Sequence, residues 1–176
     1  MWQKSFIIVI LFYFFALLQH SFFTHFNLFG ATPNLVYILF FLLLFTSKIG
    51  ENISNNYYIV SLSFVAGLFL DIYSYTYIGP SIIILLLISF LFIKAKALLQ
   101  SRDNSYPFEY FLPLFIISIL AYDLSIGCYL RFVEPNKIAM ISSFQLVISL
   151  IYNSVVASIF FFLNKKINEK LSNKKF

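Results

Sequence analysis

Six apolar segments separated by short polar connections limit the possible folds of this chain more than any motif does. The second, third and fourth segments are shorter than the roughly 20 residues of a straight membrane span, and the other three are close to that length or longer. In lipid, only helices and closed barrels satisfy the backbone polar groups. We therefore predict an all-α, polytopic membrane protein, a single bundle of about six transmembrane helices. The segments are Ser5–Phe23, Pro33–Ser47, Tyr57–Ile72, Ile78–Ile93, Tyr110–Phe132 and Ile138–Leu163.

The composition favours the same class. Of the 176 residues, 61% are hydrophobic and 11% are charged, whereas a soluble domain carries about 25% charged residues. The length allows one compact unit, which we place at residues 1–164, followed by a basic cytoplasmic tail at 165–176 with the sequence KKINEKLSNKKF. Membrane lipid is its expected surrounding, and no interleaving of basic and aromatic residues suggests a nucleic-acid partner.

The distribution of basic residues predicts the topology. With six spans and a cytoplasmic N-terminus, the cytoplasmic side holds five basic residues in the N-terminus and connections plus five tail lysines, and the outer loops hold two. Basic residues concentrate on the cytoplasmic side of membrane proteins, so both termini are expected in the cytoplasm. The cytoplasmic set is Lys4, Lys48, Lys94, Lys96, Arg102 and the tail lysines, and the outer pair is Arg131 and Lys137.

Three ionisable residues fall in the outer half of the predicted bundle. Asp71 lies at the outer end of the third segment, Asp123 lies about two-thirds of the way along the fifth, and Arg131 follows near its end. Charged groups in a bilayer need a partner, a cavity or an interface. One interpretation is therefore a polar cluster in which Asp71 or Asp123 pairs with Arg131. For Asp123, whose position is deeper, we expect a buried partner.

The segment GLFLDIYSYTYIGPS, from Gly67 to Ser81, supports a second interpretation of Asp71. Its tyrosine-rich stretch before Gly79 and Pro80 is typical of a tight turn, in which aspartate and serine form local hydrogen bonds. Proline suits the first turn of the following helix. On this interpretation Asp71 caps the turn. Ser63 and Gly67, four residues apart, predict close packing of the third helix.

The sixth segment carries polar or small residues at four-residue spacing, which places them on one helix face. They are Gln145, Ser149, Asn153 and Ala157. Such a stripe usually joins helices through hydrogen bonds and close approach. A face that lines a substrate pocket is the alternative.

Motifs that would indicate an enzyme or a bound cofactor are missing from the sequence. No phosphate-binding loop, zinc-protease motif or nucleophile elbow occurs. His20 and His25 are five residues apart, off the i, i+4 spacing that shares a helix face, and no third metal ligand is evident. We expect no enzyme, no cofactor and no metal site.

The pattern Gly67…Asp71…Ile78-Gly79 resembles the rod shape-determining protein MreD family. The upstream stretch FGATPNLVYILFFLLLF, with Pro33 and Asn34, is similar to the start of that family's second segment. Recognisable features cover about residues 1–100, and hydropathy carries the likeness beyond. Pro80 stands where the family pattern has an apolar residue, and the resemblance therefore does not predict how the fourth helix begins.

The resemblance implies a non-enzymatic scaffold of the bacterial elongation (rod) complex in the cytoplasmic membrane. Its direct partner would be MreC, and through MreC it would reach MreB, RodA and the elongation transpeptidase. The complex positions lateral peptidoglycan synthesis and maintains cell shape. Asp71 and its turn would then stabilise the bundle or shape an outer surface against MreC.

A small-molecule binder is the alternative from another class. MreD-like bundles resemble the S component of energy-coupling-factor vitamin transporters in architecture, so fold alone does not separate the two. An S component should present small residues on its first helix for docking. Here that helix is bulky and contains one alanine, Ala16, which counts against the transporter.

Overall fold

The computed structural model describes residues 2–47, 53–73, 77–98, 108–133 and 143–172. Within these ranges the chain forms six helices and no strand apart from an isolated bridge between Leu28 and Ala31. The predicted all-α bundle of six helices is confirmed. The helices are α1 (Trp2–Leu18, continued by the π-helical turn Gln19–Phe23), α2 (Leu35–Thr46), α3 (Ile53–Tyr73), α4 (Pro80–Leu98), α5 (Phe108–Val133) and α6 (Ser143–Ser172).

The apolar stretches of the helices differ in length as the six segments predict. The first, fifth and sixth contain stretches long and apolar enough to cross a membrane, at Phe6–Phe23, Phe108–Val133 and Phe144–Ile167. The apolar parts of α2, α3 and α4 are shorter. Helix α6 continues past residue 164, where we place the start of the basic tail, to Ser172. Residues 173–176 of the tail lie outside the described residues.

Helix α2 is the centre of the bundle. Ten of its 12 residues are buried, because its sequence, LVYILFFLLLFT, is apolar on every side and such a helix is stable only when neighbours surround it. At 1.5 Å per residue it is about 18 Å long, well short of the roughly 30 Å hydrocarbon core. The backbone N–H and C=O groups at both of its ends therefore need hydrogen-bond partners inside the protein.

Helices α3 and α4 form the closest pair, and a glycine allows their approach. A Cβ atom on Gly67 would lie 2.5 Å from the Ile82 Cα atom. Four residues earlier, Ser63 and Ser89 share a buried hydrogen bond of 2.7 Å between their hydroxyl groups. The tight packing expected from Ser63 and Gly67 is confirmed.

The two ends of the bundle differ in chemistry. At one end, where α2, α4 and α6 finish, Phe45 packs against Phe92, Phe111 and Phe161. We call this the basic end, because exposed lysines lie there: Lys94, Lys165, Lys166 and Lys170. At the opposite, polar end, α1, α3 and α5 finish and α2, α4 and α6 begin.

Large apolar side chains cover the outside of the bundle. They occur on every long helix, for example Phe6 (67% exposed), Ile83 (67%), Ile117 (64%) and Ile151 (60%). A soluble protein rarely exposes so large a contiguous apolar surface, whereas lipid tails cover it without cost. The outer surface is that of a membrane protein.

Candidate functional site

The turn between α3 and α4 is built around Asp71, which is 1% exposed. Its Oδ2 atom accepts a hydrogen bond of 2.6 Å from the Gly79 N–H, and its Oδ1 atom accepts one of 3.0 Å from the Ser81 N–H. These donors belong to the start of α4, where backbone N–H groups have no partner within the helix. Asp71 therefore caps α4 from the end of α3.

Gly79 and Pro80 provide the backbone that this cap requires. Gly79 has φ +130, a conformation that other residues rarely adopt. Pro80 is the first residue of α4, where its missing N–H costs nothing and its fixed φ suits a helix. The departure from the family pattern at Pro80 is thus compatible with a regular helix start.

A pair of tyrosines links this turn to the central helix. The Ser81 hydroxyl is 3.0 Å from the Tyr122 hydroxyl of α5, and the Tyr122 ring packs on the Tyr37 ring of α2 with centroids 5.0 Å apart. Tyr37 is fully buried, and its hydroxyl has no hydrogen-bond partner among the described residues. The Asp71 turn, α5 and α2 are consequently held in one packed unit.

The start of α2 is held by three side chains from different parts of the chain. The Asn34 Oδ1 atom accepts from the Tyr37 N–H at 3.0 Å, a standard N-cap. The Gln19 Oε1 atom, from the π-helical turn, accepts from the Val36 N–H at 3.3 Å. The Asn153 Oδ1 atom of α6 accepts from the Asn34 N–H at 2.7 Å. Together they satisfy the buried start of the central helix.

The side-chain amide group of Asn153 donates within its own helix. Its Nδ2 atom donates to the Ser149 carbonyl at 2.8 Å, and the residue is 2% exposed. Ala157, one turn further along the same face, is fully buried. Asn153 and Ala157 of this stripe therefore join α6 to the core.

A hairpin-like connection before α2 packs on the first turns of α6. Gly30 has φ +83, and a Cβ atom there would lie 2.8 Å from the Gln145 Nε2 atom. Phe29 packs edge-on against Phe144, with ring centroids 5.9 Å apart. Pro33, at the end of this connection, is buried, and its carbonyl accepts from the Leu35 N–H at 3.1 Å. Gln145 and Pro33 thus belong to the same packed region as Asn153.

The Asp71 turn and the hydrogen bonds at the start of α2 lie some distance from the end of α5 and from the beginning of α6. Helix α5 continues from Tyr122 to Val133, about 16 Å at 1.5 Å per residue. Helix α6 runs from Ser143 for about 15 Å before it reaches Asn153. The Asp71 turn and the start of α2 are therefore recessed relative to the last residue of α5 and the first residue of α6, and we call them the recessed region.

The predicted ion pairs with Arg131 are not formed between described residues. Arg131 is exposed in the last turn of α5, and Asp71 accepts from backbone N–H groups instead. Asp123 is half-buried beside Tyr122, and no described side chain donates a hydrogen bond to it. The buried partner expected for Asp123 is not among the residues that the structure describes.

Sequence reasoning missed five residues of this region: Gln19, Asn34 as a cap, Tyr37, Ser81 and Tyr122. A signal was present for Asn34, because it precedes an apolar run directly, as N-cap residues do. The contacts of Gln19, Ser81 and Tyr122 depend on how separate helices are placed, which local patterns do not reveal.

Comparisons with known proteins give one family. The family model described as rod shape-determining protein MreD matches residues 2–170. No curated protein and no solved structure matches the chain. Since the family match spans almost the whole sequence, from α1 to the last turns of α6, the chain belongs to the rod shape-determining protein MreD family.

Proposed function

We propose that this chain is a non-enzymatic scaffold subunit of the bacterial elongation complex. It binds MreC in the cytoplasmic membrane and, through MreC, acts with MreB, RodA and the elongation transpeptidase to position lateral peptidoglycan synthesis. The family match supports the role in cell shape. The partners follow from the family resemblance noted in the sequence.

One structural observation carries the proposal: the polar groups of the recessed region hold helices together. Both carboxylate oxygens of Asp71 accept from the start of α4. The side-chain oxygens of Gln19, Asn34 and Asn153 accept from the start of α2. A bundle held together in this way presents a surface of fixed shape. A scaffold needs such a surface, whereas a transport pocket has to change its shape.

The orientation belongs to the same proposal. With the basic end in the cytoplasm, Lys94, Lys165, Lys166 and Lys170 obey the positive-inside rule. The Asp71 turn then lies on the outer side, where it shapes a surface for MreC.

The S-component alternative receives no support from a specific contact. Ala16, the one alanine of α1, is fully buried, so it is not part of an exposed small-residue docking face. The family match also favours the scaffold.

The proposal is tested by depleting the chain in its host and measuring cell shape. We expect depleted cells to lose their rod shape and become round, and expression of the parent chain to restore rods. Asp71→Ala should restore shape less well than Gly127→Ala, a control at an exposed glycine with open space around its Cβ position. Rod-shaped growth after complete depletion would contradict the proposal.

A further inference from the structure

Helix α6 is longer than a bilayer requires, and its last turns carry exposed lysines. It contains 30 residues, about 45 Å of helix, against a hydrocarbon core of roughly 30 Å. Its apolar stretch ends at Ile167. Lys166 therefore lies one residue before the end of the apolar stretch, and Lys170 lies about 4.5 Å beyond it.

Four exposed residues form one face of this helix end, which we call the basic face: Leu163, Lys166, Ile167 and Lys170. Their spacing of i, i+3, i+4 and i+7 places them on the same side of a helix. Leu163 is 50% exposed and Ile167 is 57% exposed, and both lysines are exposed. The face thus combines apolar groups with cationic groups.

The two lysines carry uncompensated charge within the part of the chain that the structure describes. Neither Lys166 nor Lys170 forms an ion pair with a described side chain. Lys94 adds a further exposed cation at the same end of the bundle, where its Nζ atom lies 4.6 Å from the centre of the Phe90 ring. The basic end is therefore a cationic surface next to the bilayer.

We propose that the basic face of α6 binds the headgroups of anionic phospholipids. Lysine side chains at a helix end extend to headgroup phosphates while their methylene groups stay on apolar surface. Leu163 and Ile167 favour a lipid over an acidic protein segment, because acyl chains cover them at the bilayer edge. The attraction of a lysine near an anionic membrane corresponds to about a fivefold change in binding.

The test measures phosphatidylglycerol binding to the purified chain in a neutral detergent by native mass spectrometry. We expect the parent to bind phosphatidylglycerol more tightly than phosphatidylcholine. The double variant Lys166→Gln/Lys170→Gln should bind phosphatidylglycerol about 25-fold more weakly, at about fivefold per lysine. The charge-preserving variant Lys166→Arg/Lys170→Arg should bind it like the parent.

Lys165 supplies the matched control, because it is also exposed but lies about 100° around the helix from Lys166. Lys165→Gln removes one lysine and should weaken phosphatidylglycerol binding by at most about fivefold, clearly less than the double variant does. The proposal is overturned if the double variant binds phosphatidylglycerol like the parent or if Lys165→Gln loses as much as the double variant. Equal binding of the two lipids by the parent would also overturn it.

Discussion

At the scale of single residues, the recessed region depends on side chains that replace missing backbone partners. Asp71 accepts hydrogen bonds from two N–H groups at the start of α4, and Asn153 accepts one from an N–H group at the start of α2. A buried donor left without an acceptor costs about 1–3 kcal/mol. The importance of each residue follows from the number of donors it would leave unsatisfied.

Asp71→Ala removes the acceptors of two N–H groups and should lower the free energy of unfolding by about 2–6 kcal/mol, at about 1–3 kcal/mol per donor. Asp71→Asn retains one acceptor oxygen and should lose about half as much. Denaturant unfolding of the purified chain in detergent measures both values.

Asp123→Asn is the matched control. Asp123 is half-buried beside Tyr122, and no described side chain donates a hydrogen bond to it. It should leave the free energy of unfolding unchanged or raise it, because a neutral amide costs less to bury than a carboxylate without a donor. Equal losses for the two asparagine variants would show that Asp71 does not act as the cap described above.

Asn153→Leu removes the acceptor for the Asn34 N–H and should cost about 1–3 kcal/mol of unfolding free energy. Ser158→Ala is the control on the same helix, because the Ser158 hydroxyl donates only to the Ser154 carbonyl of α6. Thermal unfolding in detergent compares them. A Ser158→Ala variant that melts as early as Asn153→Leu would contradict the role of Asn153 in holding α2.

At the scale of elements, two features organise the bundle: a short central helix and a closely packed pair, α3 and α4. The apolar run before Thr46 predicted a helix but not its buried, central position, and Ser63 with Gly67 predicted the close pair. The capping of α2 by Gln19 was not predictable, because it requires the π-helical turn to direct that side chain toward another helix. Such contacts depend on how the helices pack against one another.

Gly67→Ala tests the close pair. The added Cβ would meet the Ile82 backbone at 2.5 Å, so the helices have to separate, and overpacking of this kind costs about 1–3 kcal/mol. Gly127→Ala is the matched control, because a Cβ at that helical position has nothing within 4 Å. It should be neutral or slightly stabilising. The melting temperatures of the two variants should differ clearly, and equal values would contradict the close approach at Gly67.

At the scale of the whole molecule, the number and class of helices were predictable because lipid allows so few alternatives. Segments such as Ile78–Ile93 correspond to α4 within a few residues at its start. Of the two interpretations of Asp71, the pairing with Arg131 is not formed, because α5 extends beyond the α3–α4 turn and places Arg131 past it. The pattern of charged residues does not predict how far each helix extends along the bundle.

The predicted topology is tested with single cysteine labels in a Cys128→Ser background. Labels at Thr32 and Asn136 should react with an impermeant reagent from outside the cell, and labels at Asn52 and Gln100 should not, because an even number of spans returns the basic tail to the cytoplasm. Protection of Asn136 would contradict the six-span arrangement.

The most direct test of the scaffold role is an affinity pull-down of the tagged chain from native membranes, followed by mass spectrometry. We expect recovery of MreC together with proteins of the elongation complex. Recovery of paired ATPases with a transmembrane coupling subunit, and no MreC, would contradict it and support the vitamin-binding alternative.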